Sequence, residues 1–219
     1  MKQEQFASDG YVVVPGVLTP AHCARLAASV SVGAGAAGSR SLLAQDWCAA
    51  LAIELRRDSA LAGLIPATHV AVQCNYFEKS ASCNWLVPLH QDLSIPVADR
   101  VDGAGLRGWS EKEGELFVHA PPEVLGQLIA LRLHLDPCGA VDGPLKVVPG
   151  SHASGRMAAG AVADRPALAI EADIGDALLM RPLLLHASSK SAGCGRRRVL
   201  HVVFGPPALP QGLSWRHAI

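Results

Sequence analysis

At 219 residues with 50% hydrophobic side chains, the chain carries enough apolar surface for one full core and too much for intrinsic disorder. Lys plus Arg and Asp plus Glu stand at 19 each, so no net field draws it to nucleic acid or to anionic lipid. Its apolar runs fall short of the roughly 20 residues that a bilayer span needs, which sets membrane partners aside.

Met1–Gly10 mixes both signs of charge without an apolar run, so it does not read as a secretory leader, and a cytoplasmic setting is expected. Tyr11-Val12-Val13-Val14 before Pro15-Gly16 predicts a short strand and a turn. Thr19-Pro20 then supplies an N-cap and a first-turn proline for a helix on which Cys23, Leu26, Ala27 and Val30 recur at helical spacing, ended by Gly33–Gly38. Ser41–Arg57 reads as a second helix, its stripe formed by Leu42, Leu43, Trp47, Leu51 and Leu55. The six cysteines (Cys23, Cys48, Cys74, Cys83, Cys138 and Cys194) form no Cys-x-x-Cys and are expected to be free thiols.

After Pro66 the period changes from helical to alternating. In Val70–Phe77, Gln73 and Asn75 share one face, with Val72, Cys74 and Tyr76 on the other. Further strands are predicted over Leu86–Leu93, Leu128–Leu135, Leu145–Val148, Ala167–Ala172, Ala177–Leu185 and Arg198–Phe204, separated by turns such as Asp142-Gly143-Pro144. The pattern is mainly β behind N-terminal helices: a helical prelude over 1–66, then a jelly-roll core over 67–206, in one domain spanning 1–219. Ala98–Val124, with Trp109, Lys112, Glu113, Glu115 and His119, reads as a long irregular lid, and Ser151–Pro166 as a connecting loop.

His90 and Asp92 stand two apart in a predicted strand and so point to one face, where both can reach a single ion. His186 ends the apolar run from Ala177 and offers a third ligand. Ten to twelve residues later Arg196-Arg197-Arg198 enters another apolar strand, and a guanidinium in such a place needs an anion. Two imidazoles and a carboxylate cover one face of an octahedron, as in non-haem Fe(II) oxygenases. Three positions stay free for a bidentate 2-oxo acid and for O2, with an arginine to hold the distal carboxylate. On Leu131–Asp136, alternation puts Arg132, His134 and Asp136 opposite Leu131, Leu133 and Leu135. His119 and His201 read as structural.

Asn84-Trp85-Leu86-Val87-Pro88-Leu89-His90-Gln91-Asp92-Leu93, then Gly143–His152, Leu185-His186-Ala187-Ser188 and the arginines, together with the opening Asp9–Gly16, resemble the phytanoyl-CoA dioxygenase family of iron and 2-oxoglutarate-dependent oxygenases. The resemblance spans nearly the whole chain. It implies a double-stranded β-helix, Fe(II), 2-oxoglutarate and O2, and hydroxylation of an unactivated C–H bond in a small molecule. It makes His90, Asp92 and His186 the iron ligands. Arg197, eleven residues after His186, becomes the partner of the 5-carboxylate, with Arg198 as the neighbour that competes for the role. Ser188 matches a position whose hydroxyl holds the co-substrate, and Gln73 and Asn75 are expected to line the same pocket. Arg132 departs from the family, which often has an aromatic near this position; it is expected to serve the co-substrate or an acidic substrate. Trp85, Gln91, Trp109 and His134 are the expected substrate contacts. Two other readings stand beside this one: a zinc hydrolase using the same three ligands, and a non-catalytic jelly-roll binding module. A monomer or weak homo-oligomer is expected.

Overall fold

The computed structural model describes residues 1–31, 38–103, 105–158, 161 and 165–219. Much of the glycine-rich stop expected at Gly33–Gly38 therefore lies outside the described residues, as does part of the Ser151–Pro166 connection.

The chain opens with helix α1 (Lys2–Asp9), which the sequence reading did not anticipate because Phe6 is its single buried side chain. Gly10 ends it in the left-handed region, donating its N–H to the Phe6 carbonyl. Strand β1 (Tyr11–Val14) follows as predicted, then α2 (Pro20–Ser29), whose Thr19 side chain accepts the His22 N–H at 3.3 Å. Strand β2 is the short Gly38–Ser39. The expected helix over Ser41–Arg57 is broken in two: a 3-10 turn at Leu42–Ala44, then α3 (Asp46–Arg57), because Gln45 is extended and starts the second piece.

The remaining strands are β3 (Val70–Lys79), β4 (Val87–His90), β5 (Ser94–Val97), β6 (Ser110–Lys112), β7 (Glu115–His119), β8 (Ile129–His134), β9 (Leu145–Val147), β10 (Leu168–Ile170), β11 (Ala177–Met180), β12 (His186–Ser188) and β13 (Arg197–Gly205), with a short α4 (Pro122–Leu125) before β8. They pair antiparallel into a major sheet of order β1-β11-β8-β13-β3-β2, a minor sheet β10-β9-β12-β4 and a small sheet β5-β7-β6. The result is the double-stranded β-helix expected.

Alternation sorts the major sheet into two faces. Leu131, Leu133, Leu179, Leu200 and Val202 point outward and pack with Cys23, Leu51 and Leu55 of the helices. Fully burying each such leucine stabilises the fold by roughly 1.5–3 kcal/mol, so this layer holds the sheet rigid behind the cavity. Ala130, Leu178, Met180 and Val203 point inward with Leu145, Val147 and Leu184 of the opposite side. β1 completes the edge of the major sheet, so the prelude and the barrel share one core.

Other stretches also differ from the sequence reading, among them the strand expected over Leu86–Leu93, which ends at His90. Ala98–Val124 is no irregular lid: β6 and β7 form a hairpin within it that pairs with β5. The predicted strand Ala177–Leu185 stops at Met180, and Arg181-Pro182 begin a turn in which the Leu184 N–H reaches the Arg181 carbonyl, so His186 opens a new strand in the other sheet. In β3 a bulge inserts Val72 between the pairs Val203 to Gln73 and Phe204 to Ala71. Val72 consequently faces the cavity beside Gln73 instead of the opposite side.

Candidate active site

His186 on β12 is the direct pairing partner of His90 on β4, which brings the two rings to 4.2 Å between centroids. Asp92 lies just beyond β4, where its N–H binds the Pro182 carbonyl and the turn after Met180 fixes it. Its carboxylate stands 3.6 Å from His90 Nε2 and 3.5 Å from His186 Nε2. One donor atom from each of the three residues lies within 4.8 Å of the others.

The tautomers follow from the backbone. His90 Nδ1 is 2.9 Å from the Pro88 carbonyl and His186 Nδ1 is 2.9 Å from the Leu184 carbonyl. A carbonyl only accepts, so both Nδ1 atoms carry hydrogen and both Nε2 lone pairs face the shared carboxylate. Burial works against charging either ring. At His90 the hydrogen bond and charge of Asp92 override it and raise the pKa, whereas in the more deeply buried His186 desolvation wins and pushes the pKa down to about 4. The adjacent imidazoles hold the Asp92 carboxyl well below the usual carboxylate range despite its own burial. Two neutral-capable imidazoles and an ionised carboxylate fit a divalent first-row metal.

The triad sits on a cavity of about 450 Å³ between the two sheets. At the end toward Arg197 the wall is cationic. Arg197 of β13 pairs in register with Lys79 of β3, and both side chains are buried. Its neighbours turn the other way: Arg196 forms two bonds to the Glu78 carboxylate at 3.0 and 2.9 Å, and Arg198 two to Asp136, both at 2.7 Å. Arg198 is therefore committed on the opposite face, and Asp136, beyond the end of β8, belongs to it and not to the face of Arg132. Lys79 Nζ donates to Ser188 Oγ at 2.6 Å and to the Ser189 carbonyl. The Ser188 hydroxyl, accepting there, keeps its own proton for the cavity.

Gln73 and Asn75 also line the cavity, the Gln73 amide donating to Asn75 Oδ1 at 3.0 Å. Trp85 lines it too, its ring 5.6 Å from Lys79 Nζ. Gln91 borders the space, but its amide is occupied by the Gly155 and Leu183 carbonyls and the Met157 N–H, so it ties loops together. Two expected substrate contacts lie elsewhere. Trp109 stacks 5.2 Å from the Arg100 guanidinium, outside the lining, and His134 is buried and absent from the cavity wall, held neutral at a pKa of about 3 by burial and by Arg132 and Arg197.

Several lining residues escaped the sequence reading. His201 lies buried beside Arg132, its Nδ1 3.3 Å from a guanidinium nitrogen, and His119 lines the cavity from the β6–β7 hairpin together with Lys112, which was read as a lid residue. Counting by twos along β13 from Arg197 reaches His201, and along β3 from Gln73 reaches Lys79; the alternation was the available signal.

Lys79 makes the charge of this pocket measurable. Burial, and then Arg197 and Arg132, push its pKa down to about 8 from 10.5. Between those values the unfolded chain binds the extra proton, so this group's contribution to stability rises with pH through the window, and below it the penalty of the buried charge is fully present. Urea melts of the wild type and Lys79→Met should show their stability difference moving in favour of the wild type by roughly 1–3 kcal/mol from pH 7.5 to 10.5.

A double-stranded β-helix with His-x-Asp and a distant histidine at one cavity has the architecture of the mononuclear non-haem iron oxygenases. The chain belongs to the phytanoyl-CoA dioxygenase (PhyH) family, whose model matches residues 6–199. Membership makes it an enzyme of the Fe(II)/2-oxoglutarate-dependent oxygenase type. No curated protein matches it. Among solved structures it resembles EvdMO1 with a TM-score of 0.70 and 21% identity, covering 94% of this chain but only 50% of that one. SnoK, a non-haem α-ketoglutarate-dependent carbocyclase from nogalamycin biosynthesis, matches at 0.67 with 16% identity over 100% of this chain and 92% of its own. HygX from Streptomyces hygroscopicus, crystallised with nickel and 2-oxoglutarate, matches at 0.64 and 16%, over 100% and 98%. At such identities these likenesses establish the fold. No helix among the described residues is long and apolar enough to cross a membrane.

Proposed function

We propose that the protein is an Fe(II)- and 2-oxoglutarate-dependent dioxygenase that hydroxylates an unactivated C–H bond of a small molecule, with release of succinate and CO2. The observation that carries this reading is one cavity holding two histidines and a carboxylate together with a buried arginine that has no carboxylate partner among the described residues. His90, Asp92 and His186 would hold the iron, and Arg197 with Ser188 the distal carboxylate of the co-substrate. Bound there, ferrous iron and the oxo acid supply the activation of O2. The chain fixes the ligand lone pairs, anchors the acid, and closes the cavity with Gln73, Asn75 and Trp85.

Asp92 favours hydroxylation over halogenation, since the carboxylate fills the position a halide would need. SnoK is a carbocyclase of similar fold, which makes ring closure the second outcome for the same oxidising centre. A zinc hydrolase would have no use for Arg197. The buried free thiols Cys23, Cys48, Cys74 and Cys138 favour a reducing, cytosolic setting. The test is anaerobic loading with Fe(II) and 2-oxoglutarate, then exposure to O2 with a metabolite library, reading succinate release. Substrate-stimulated, O2-dependent succinate is expected. Oxygen-independent hydrolysis with zinc would overturn the reading.

A further inference from the structure

The cationic end of the cavity holds more positive charge than one anchoring arginine requires. Lys79, Arg132 and Arg197 are exposed by only 1%, 7% and 3%. Among the described residues none of the three pairs with a carboxylate, and the Nε atoms of both arginines lack any hydrogen-bond partner. Among the described residues Arg132 makes one polar contact, to His201 Nδ1; a guanidinium only donates, so that nitrogen accepts and His201 is neutral. Burying unpaired charge is costly, and an anion in the cavity would offset it.

The neighbours of Arg132 bear on which anion. Its own row across the sheet holds His201 and Asn75. Yet its guanidinium carbon lies 5.6 Å from the centroid of the Phe77 ring, in the next row, where Phe77 pairs with Val199. The following row is Arg197 and Lys79. The guanidinium thus keeps contact with His201 of its own row while also bordering Phe77 in the row toward Arg197, and both arginines line the same cavity. On the functional reading above, we propose that Arg132 is a second guanidinium for the distal carboxylate of 2-oxoglutarate, so that Arg132, Arg197 and the Ser188 hydroxyl held by Lys79 form one anion pocket.

Burial lowers the pKa of Arg132 to about 10, with Arg197 adding to the effect, so it stays charged at neutral pH. The ligand-free protein is therefore strained by repulsion that the co-substrate relieves. Loss of Arg132 should help the empty protein and harm the occupied one, whereas a packing role would harm both.

The test uses calorimetric titration of 2-oxoglutarate into anaerobic, Mn(II)-loaded wild type, Arg132→Met and Arg132→Lys, with melts of each metal-free protein. Arg132→Met should weaken 2-oxoglutarate binding by about 10- to 100-fold and raise the Tm of the metal-free protein, with Arg132→Lys between. Unchanged affinity in Arg132→Met while the wild type binds overturns the proposal and leaves the oxygenase reading standing; Arg132 would then serve a substrate anion. A lowered Tm with binding lost in both variants assigns Arg132 to packing and overturns it too. A wild type that binds metal but no 2-oxoglutarate overturns both readings.

Discussion

His186→Ala, loaded anaerobically with Fe(II), is expected to retain no stoichiometric iron by elemental analysis and to release no succinate at any 2-oxoglutarate concentration. The imidazole is one of three donors, and it is fixed by its Leu184 contact and by direct pairing with His90. Its removal leaves a two-ligand site, and a two-donor set does not retain a divalent ion against water and buffer. Far-ultraviolet circular dichroism should remain that of the wild type, because β12 is held by its pairing with β9 and β4 and not by the ring. Iron bound at one equivalent in this variant would move the metal centre elsewhere.

Arg197→Ala is expected to raise the KM for 2-oxoglutarate by about 100-fold or more, with kcat at saturation much less affected. On the proposed function the fork would bind a carboxylate remote from the reacting carbon, so its loss should appear chiefly in affinity. Arg198→Ala provides the contrast: its guanidinium is bound to Asp136 on the opposite face, and its removal should leave the KM for 2-oxoglutarate close to wild type. Steady-state kinetics with varied 2-oxoglutarate separates the two. Equal effects of both substitutions would mean that the strand does not present Arg197 inward.

The sequence made much of this arrangement readable because strands alternate. The odd-numbered arginine between two outward neighbours expresses a period of two, whereas His186 reaches His90 by direct pairing across the sheet and Asp92 is placed beyond the end of β4 by its contact with Pro182. What escaped depends on contacts between distant segments. The β6–β7 hairpin turns through Glu113 and Gly114 with φ of 54° and 76°, a turn in which both central residues need positive φ. Asn-Gly announces such a turn; Glu-Gly does not. Glu113 is held there because its carboxylate accepts the Ser39 hydroxyl at 2.9 Å and the Arg40 N–H at 2.8 Å, partners more than 70 residues away in the chain. The apolar run before His186 looked continuous, but Pro182 carries no N–H for a ladder, and the chain crosses to the other sheet at that point. The positions of Trp109 and His134 were likewise set by side-chain packing that local pattern does not encode.

The two ion pairs that flank Arg197 have a consequence for the barrel's alignment. Surface pairs of this kind contribute little to stability, typically 0–1 kcal/mol. Arg196 grips β3 through Glu78, whereas Arg198 grips the end of β8 through Asp136, so the central strand is pinned to both neighbours at one level. Three consecutive arginines are an ambiguous ratchet: sliding by a single notch would still present some guanidinium to the interior. With each outer tooth seated in its own acidic slot, a slipped strand would strand two carboxylates and swing the inner tooth to solvent. The acids thereby act as detents that choose which of three identical side chains looks in.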